Sequence, residues 1–218
     1  FSVEERKIYL IGLQQLTKNN KPHESAVFWY MDKIDYITIK KNSAEISVNG
    51  ETVSNINLEA LLKSGLKAGE VSEQDIKNLL THSEKLNAKK FLLASITRNQ
   101  KSEKEARIKL YQKGFSRVAV EYALGVAKEY EYINDKKFAY EFTQVGIKTK
   151  GEHRIRYELR LKGISDNLIE EALGKYSEGQ SVTALKFAIK YMSDKETNLK
   201  NIDKLYKFLM AKGYDYEI

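Results

Sequence analysis

One tripeptide pattern constrains this chain more than anything else in it. Lys113-Gly114-Phe115 recurs as Lys162-Gly163-Ile164 and again as Lys212-Gly213-Tyr214, at spacings of 49 and 50 residues. In the same register Leu110, Leu159 and Leu209 align, as do Lys101, Lys150 and Lys200, and the apolar Ala106, Ile155 and Leu205. Ser116, Ser165 and Asp215 follow as candidate N-caps of a next helix. The glycine has a physical reason: it ends a helix in the left-handed conformation, which only Gly adopts cheaply, and the apolar residue after it folds back onto the helix. Each unit reads as long helix, basic helix, Lys-Gly-apolar turn, short helix. A period near 50 of this kind predicts tandem modules that stack to share a core.

The rest of the chain agrees with a mainly α fold. Its 218 residues hold a single proline, Pro22, so few breakers interrupt the helices. The spacing predicts helices near 73–98, 102–113, 117–130, 135–147, 150–162, 166–176, 180–193 and 198–212. Ser72-Glu-Gln-Asp75 approximates a capping box, and Ser102-Glu-Lys-Glu105 and Thr149-Lys-Gly-Glu152 read as full ones. The N-terminal part differs. Residues 1 to about 30 are helix-like, with Ile8, Leu10, Ile11, Leu13 and Leu16 in a charged frame. Tyr36–Ile39 and Ala44–Val48 alternate as strands do, and Asn49-Gly50 before Glu51-Thr52-Val53 is a strong hairpin signal, because both turn positions need positive φ. Asn57 reads as the N-cap of a helix over 58–64 and Gly65 as the residue just past its end. The predicted division is an N-terminal region over 1–71 (helix, β-hairpin, short helix) and three-helix repeats over 72–133, 134–178 and 179–218.

Charge follows the same period. Lys and Arg number 37 against 30 Asp and Glu, a net +7. Residues 101–117 carry six cations against two anions, residues 148–162 six against two, and residues 195–212 five against two. Those stretches hold +11 together, so the remainder nets −4. The helices after each turn are acidic, with Glu121, Glu129, Glu131 and Asp135 after the first and Asp166, Glu170, Glu171 and Glu178 after the second. A repeated basic stripe suggests a polyanionic partner.

Several chemistries are excluded or disfavoured. With no cysteine there is no disulfide, no zinc–cysteine site and no thiol catalysis, which fits a reducing compartment. No apolar run approaches the ~18 residues of a membrane span. His23, His82 and His153 lie far apart with no metal-ligand spacing. Gly65-Leu-Lys-Ala-Gly69 lacks the Gly-Lys-Ser/Thr ending of a phosphate loop. Asp135, ahead of Lys136-Lys-Phe-Ala, reads as a helix N-cap rather than a catalytic acid. The expectation is a protein that is not an enzyme and takes no cofactor and no metal.

At this point the residues become recognisable. Ser102-Glu-Lys-Glu-Ala-Arg-Ile-Lys-Leu-Tyr-Gln-Lys-Gly-Phe115 is followed by Tyr132-Ile-Asn-Asp-Lys-Lys-Phe-Ala139, by Lys150-Gly-Glu-His-Arg-Ile-Arg-Tyr-Glu-Leu-Arg-Leu-Lys-Gly-Ile164 and by Ile169-Glu-Glu-Ala-Leu173. This resembles the regulatory protein RecX family, specifically over about 86–176 and more loosely on either side. One departure is Glu131, where the family pattern has Gly before the tyrosine. The resemblance implies tandem three-helix repeats forming an elongated curved body. It implies a modulator of homologous recombination and the SOS response that binds the RecA recombinase filament on single-stranded DNA. Such a protein mostly inhibits the filament's recombinase, ATPase and coprotease activities. A cytoplasmic monomer with no membrane contact is expected.

The candidate binding residues are the cations of the basic helices: Lys101, Arg107, Lys109, Lys113, Lys150, Arg154, Arg156, Arg160 and Lys162. They face the RecA filament or DNA phosphate in the functional reading. In the plain reading they are a solvated face partnered by Glu103, Glu105, Glu152 and Glu158. Tyr111, Tyr157, Tyr206 and Tyr214 sit in or beside the same helices; packing between repeats is expected of them ahead of stacking on bases. The rivals are a helical-repeat protein that acts on nucleic acid directly and a scaffold for some other protein. Helix, turn, helix resembles a DNA-reading motif, but the acidic helices after the turns argue against groove insertion.

Overall fold

The structure, a computed structural model, describes residues 31–176 and 179–215. The helix expected over residues 1–30, with His23, lies outside them. The described part begins with an antiparallel sheet. Strands β1 (Met31–Ile39), β2 (Ser43–Val48) and β3 (Glu51–Asn57) form a meander, and β4 (Gly69–Ser72) pairs antiparallel with the free side of β1. The sheet order is β3-β2-β1-β4. The expected hairpin turns at Asn49 (φ 50°) and Gly50 (φ 84°), both left-handed as a two-residue turn demands. Asp35, where the β1–β2 register shifts, ties this turn down. Its carboxylate accepts from the Gly50 N–H at 2.7 Å and the Ser47 hydroxyl at 3.0 Å, and those bonds hold it below the usual carboxylate range. Strand β4 was not expected: four residues that pair through the backbone show no alternation to read.

Helix α1 (Leu58–Ser64) is capped as the sequence predicts. Asn57 accepts from the N–H groups of Glu59 and Ala60, and Gly65 closes it with φ 66°. The 26-residue α2 (Glu73–Arg98) lays Ile76, Leu79 and Leu86 against the sheet and α1, where they join Ile34, Ile46, Val48, Ile56 and Leu61 in one core. The remaining helices are α3 (Glu103–Gln112), α4 (Arg117–Glu129), α5 (Asp135–Gly146), α6 (Glu152–Leu161), α7 (Asp166–Gly174), α8 (Gln180–Met192) and α9 (Leu199–Lys212). A second core gathers Phe138, Ala139, Ile155, Leu159, Ile164, Ile169, Ala172 and Leu173 from α5, α6 and α7. The fold is mainly α with a small N-terminal sheet, as expected. By contacts the chain divides into two compact units, Phe1–Asn99 with Ala106–Tyr132, and Gln100–Glu105 with Ile133–Ile218.

Three caps repay comparison with expectation. Ser102 and Glu105 form a reciprocal capping box at 3.2 Å in each direction. Asp135 is not the cap of α5. Asn134 is, accepting from the Lys137 N–H at 3.0 Å, while the Asp135 carboxylate accepts from the Glu103 N–H at 2.8 Å. Thr149 does not cap α6 either: the helix starts from Gly151 with no side-chain cap.

Candidate functional site

The three Lys-Gly turns share one construction. Gly114, Gly163 and Gly213 sit at φ 91°, 82° and 89°. In each, the glycine N–H donates to the carbonyl three residues back, and the next residue's N–H donates five residues back, to Leu110, Leu159 or Leu209. That is the complete Schellman ending. Each lysine then lies over an aromatic ring of the preceding helix. Lys113 is 6.0 Å from the Phe91 centroid, Lys162 5.6 Å from Phe138, and Lys212 4.4 Å from Phe187. The lysine of the motif is thus held against its own repeat.

What stands beyond each turn differs. At Gly163, the Lys162 carbonyl accepts from the Ser102 hydroxyl at 2.6 Å, and the Leu161 carbonyl accepts from Lys104 Nζ at 3.1 Å. At Gly213, the carbonyl of Lys212 accepts from the Gly151 N–H at 3.0 Å and that of Gly213 from the His153 N–H at 3.1 Å. So the C-terminal end of one basic helix meets the N-terminal turn of the basic helix before it in sequence: at α6 orphan carbonyls of α9 meet orphan backbone N–H groups, and at α3 carbonyls of α6 meet the Ser102 hydroxyl and the Lys104 ammonium. This is why Thr149 is not needed as a cap: carbonyls some 60 residues away fill that role. A Cβ on Gly163 would fall 2.6 Å from Lys104 Cδ, and one on Gly213 would fall 2.4 Å from the Arg154 backbone nitrogen. One on Gly114 would meet nothing.

A second recurrence ties the basic helices to the acidic ones. Arg107 forks onto Glu121 of α4, with Nη1 on Oε1 and Nη2 on Oε2, the latter at 3.2 Å. Arg156 forks onto Glu170 of α7 at 2.9 Å through both Nε and Nη2. Each pair is 14 residues apart and the two pairs are 49 apart, so this is one device used twice. The Glu170 contact raises Arg156 above its ordinary value, and the Arg156 fork holds Glu170 below its own. Arg160 adds a 2.7 Å bond to Asp166. In the sequence, the equal 14-residue offsets are the signal that pairs Arg107 with Glu121 and Arg156 with Glu170.

The other candidates divide. Lys150 and Arg154 share Glu158, at 2.6 and 2.7 Å. Burial works to raise that carboxyl, but the two hydrogen bonds outweigh it and hold it below the usual range. Lys162 reaches Glu105 at 2.5 Å. Of the expected carboxylate partners, Glu105 takes the Lys162 bond, Glu158 takes those of Lys150 and Arg154, and the charge of Glu152 adds to what raises Arg156. Lys101 and Lys109 have no side-chain partner among the described residues. Lys109 occupies the register position that Glu158 holds one repeat later. The tyrosines divide in burial. Tyr111, Tyr157 and Tyr206 are 45%, 55% and 40% exposed, and only Tyr214, at 1%, packs inside. Among the described residues, no cluster of three or more His, Asp or Glu is placed to hold a metal, and no helix is long and apolar enough to cross a membrane.

Comparison with known proteins meets this geometry directly. A family model of the second three-helix domain of RecX matches residues 134–173, the span of α5, α6 and α7. The regulatory protein RecX of Clostridium botulinum (strain Alaska E43 / Type E3) is 32% identical over 200 residues, covering 86% of this chain and 93% of the relative. The chain belongs to the RecX family. The RecX of Clostridium perfringens (strain 13 / Type A) is 30% identical over 196 residues, covering 86% of this chain and 92% of its own. A crystal structure of a regulatory protein RecX superposes with a TM-score of 0.66 at 25% identity, over 85% of this chain and 96% of that one. RecX from Lactobacillus salivarius shares the fold, with a TM-score of 0.57 at 23% identity over 62% of this chain and 90% of its own. The recurring Lys-Gly turns and Arg–Glu forks therefore lie in a RecX fold.

Proposed function

We propose that this RecX chain is a non-enzymatic modulator of the RecA recombinase. It binds the RecA filament on single-stranded DNA, in the cytoplasm and as a monomer, and mostly inhibits the filament's recombinase, ATPase and coprotease activities in recombination and the SOS response. Family membership carries this reading, and the recurrence of net positive charge on α3, α6 and α9 supports it. The working modules are the repeats over 72–133, 134–178 and 179–218, each contributing a weak contact that sums through multivalency.

The nine cations contribute unequally in this proposal. Arg107 and Arg156 hold the acidic helices in place and act by keeping the basic helices oriented. Lys101 and Lys109, with no carboxylate partner among the described residues, engage the anionic partner at least desolvation cost. Lys113, Lys150, Arg154, Arg160 and Lys162 add to the field around them.

The deciding experiment is filament ATPase on single-stranded DNA with the protein titrated in. Inhibition by the wild type, weakened by Lys109→Glu with helicity unchanged, is the expected outcome. No effect of the wild type on the filament would end the reading. A second reading, direct action on nucleic acid, is favoured by Tyr111, Tyr157 and Tyr206, which stand exposed on basic helices where rings and cations alternate. Salt-dependent binding of an oligonucleotide in the absence of recombinase would support it.

A further inference from the structure

Two of the three Lys-Gly turns receive the first turn of the basic helix before them. The Gly163 turn takes the Ser102 capping box: the Ser102 hydroxyl donates to the Lys162 carbonyl at 2.6 Å, and Lys162 Nζ reaches Glu105 at 2.5 Å. The Gly213 turn takes the N–H groups of Gly151 and His153. Lys162 and Lys212 are half-buried there. The Gly114 turn meets no such partner among the described residues. The carbonyls of Gln112 and Lys113 accept no hydrogen bond from them. Lys113 is exposed and has no carboxylate among them, its ammonium lying 6.0 Å from the Phe91 centroid.

The series runs backward along the chain, so a partner for Gly114 is a capping turn that precedes α3. The one at Ser72 is ruled out, because α2 meets this end of α3 at Phe91, 19 residues further on and about 28 Å along the helix. Ser2-Val-Glu-Glu5 is a second capping box. Its likeness to the one that serves Gly163 extends further: Ser2, Glu5, Ile8 and Leu10 stand 100 residues before Ser102, Glu105, Ile108 and Leu110, and Lys7 stands likewise before Arg107. The 26-residue step from Glu5 to Met31 can span up to about 90 Å, ample to reach any point on the first repeat. Two departures limit the likeness. Arg6 stands where Ala106 is buried, and Glu4 stands where Lys104 donates to the Leu161 carbonyl. The match is therefore to the capping turn alone, and the space beside Gly114, which Lys104 fills at Gly163, stays open.

We infer that the Ser2–Glu5 turn docks on the C-terminal end of α3, with the Ser2 hydroxyl donating to the Lys113 carbonyl and the Glu5 carboxylate taking the Lys113 ammonium. Lys113 is then held as Lys162 is, and the segment straps the first repeat as Ser102 straps the second. None of this rests on the partner assigned to the basic helices.

The chain has no cysteine, so two thiols can be introduced alone. In the full chain, Glu4→Cys with Gln112→Cys leaves Ser2, Glu5 and Lys113 in place. A short bismaleimide should join these thiols within one molecule, about five-fold faster than in Glu4→Cys with Lys77→Cys, whose second thiol lies 14 residues before Phe91 on α2. Adding Glu5→Lys to the first pair should cut the rate to that of the control, and Lys113→Glu on top of it should restore the rate. Circular dichroism checks each fold, and if Lys113→Glu loses helicity the loss on Glu5→Lys alone decides. Equal rates for the two thiol pairs would overturn the proposal. So would a product at the mass of a dimer, or a rate that Glu5→Lys leaves unchanged.

Discussion

The turns at Gly114 and Gly213 are built alike and stand in different surroundings. Both are left-handed, both close a Schellman ending, and both hold a lysine over an aromatic ring. Gly213 also abuts the first turn of α6, with its own carbonyl bonded to the His153 N–H, while Gly114 faces open space. The difference separates two reasons for a conserved-looking glycine pattern. Backbone handedness accounts for all three turns, and close approach of a neighbouring helix end adds to it only at Gly163 and Gly213.

Alanine at the three positions breaks this comparison open. Gly213→Ala should cost most, about 3 kcal/mol or more, since the left-handed backbone penalty is joined by a clash with main-chain atoms of Arg154 that cannot rotate away. Gly163→Ala should fall between, at about 2 kcal/mol, because Lys104 Cδ can swing aside while its Cβ cannot. Gly114→Ala should lose only the backbone term, about 1 kcal/mol. Urea-unfolding midpoints give the order directly. Three equal losses would show that the helix-end junctions add nothing to the need for glycine.

These turns were legible in the sequence because each is specified within six residues. Asn57, Gly65, Asn49-Gly50 and the Ser102–Glu105 box were readable for the same reason. What failed was non-local. Asn134 and Asp135 are both good caps, and only the arrival of the Glu103 N–H at Asp135 separates their roles. Thr149 had the correct spacing to Glu152, yet the N-terminal turn of α6 is filled by carbonyls of Lys212 and Gly213. In the candidate site the positions of the cations were legible, and so were the carboxylates Glu105 and Glu158 that lie on the basic helices themselves. The forks were not, because they run across to Glu121 and Glu170 on another helix.

The forks offer a smaller and more local comparison. Arg156→Gln removes both hydrogen bonds to Glu170, and Arg107→Gln removes the pair to Glu121. Glu170 and Glu121 are about half exposed, so solvent screens both pairs and each loss should be near 1 kcal/mol or below. Arg156 is the more enclosed of the two arginines, so its loss should be the larger. A double-mutant cycle with Glu170→Gln measures the coupling; a value near zero would leave the fork with no part in holding α7 on α6.

Acid should reach the second repeat in a way it does not reach the first. Glu158 is held below its ordinary value of 4.5 by Lys150 and Arg154, and repeat 1 has Lys109 at that position. A carboxyl lowered on folding contributes stability that is present above its unfolded value and is lost as pH falls through its folded one. The stability difference between the wild type and Glu158→Gln should therefore be full near neutrality and begin to shrink below about pH 4.5, the unfolded value. It should close once the wild-type carboxyl is itself protonated. Urea midpoints for both proteins across that range read it out. A difference that stayed constant into strong acid would mean that Glu158 acts through its shape and packing, and that its two cations remain as available to an anionic partner as Lys109.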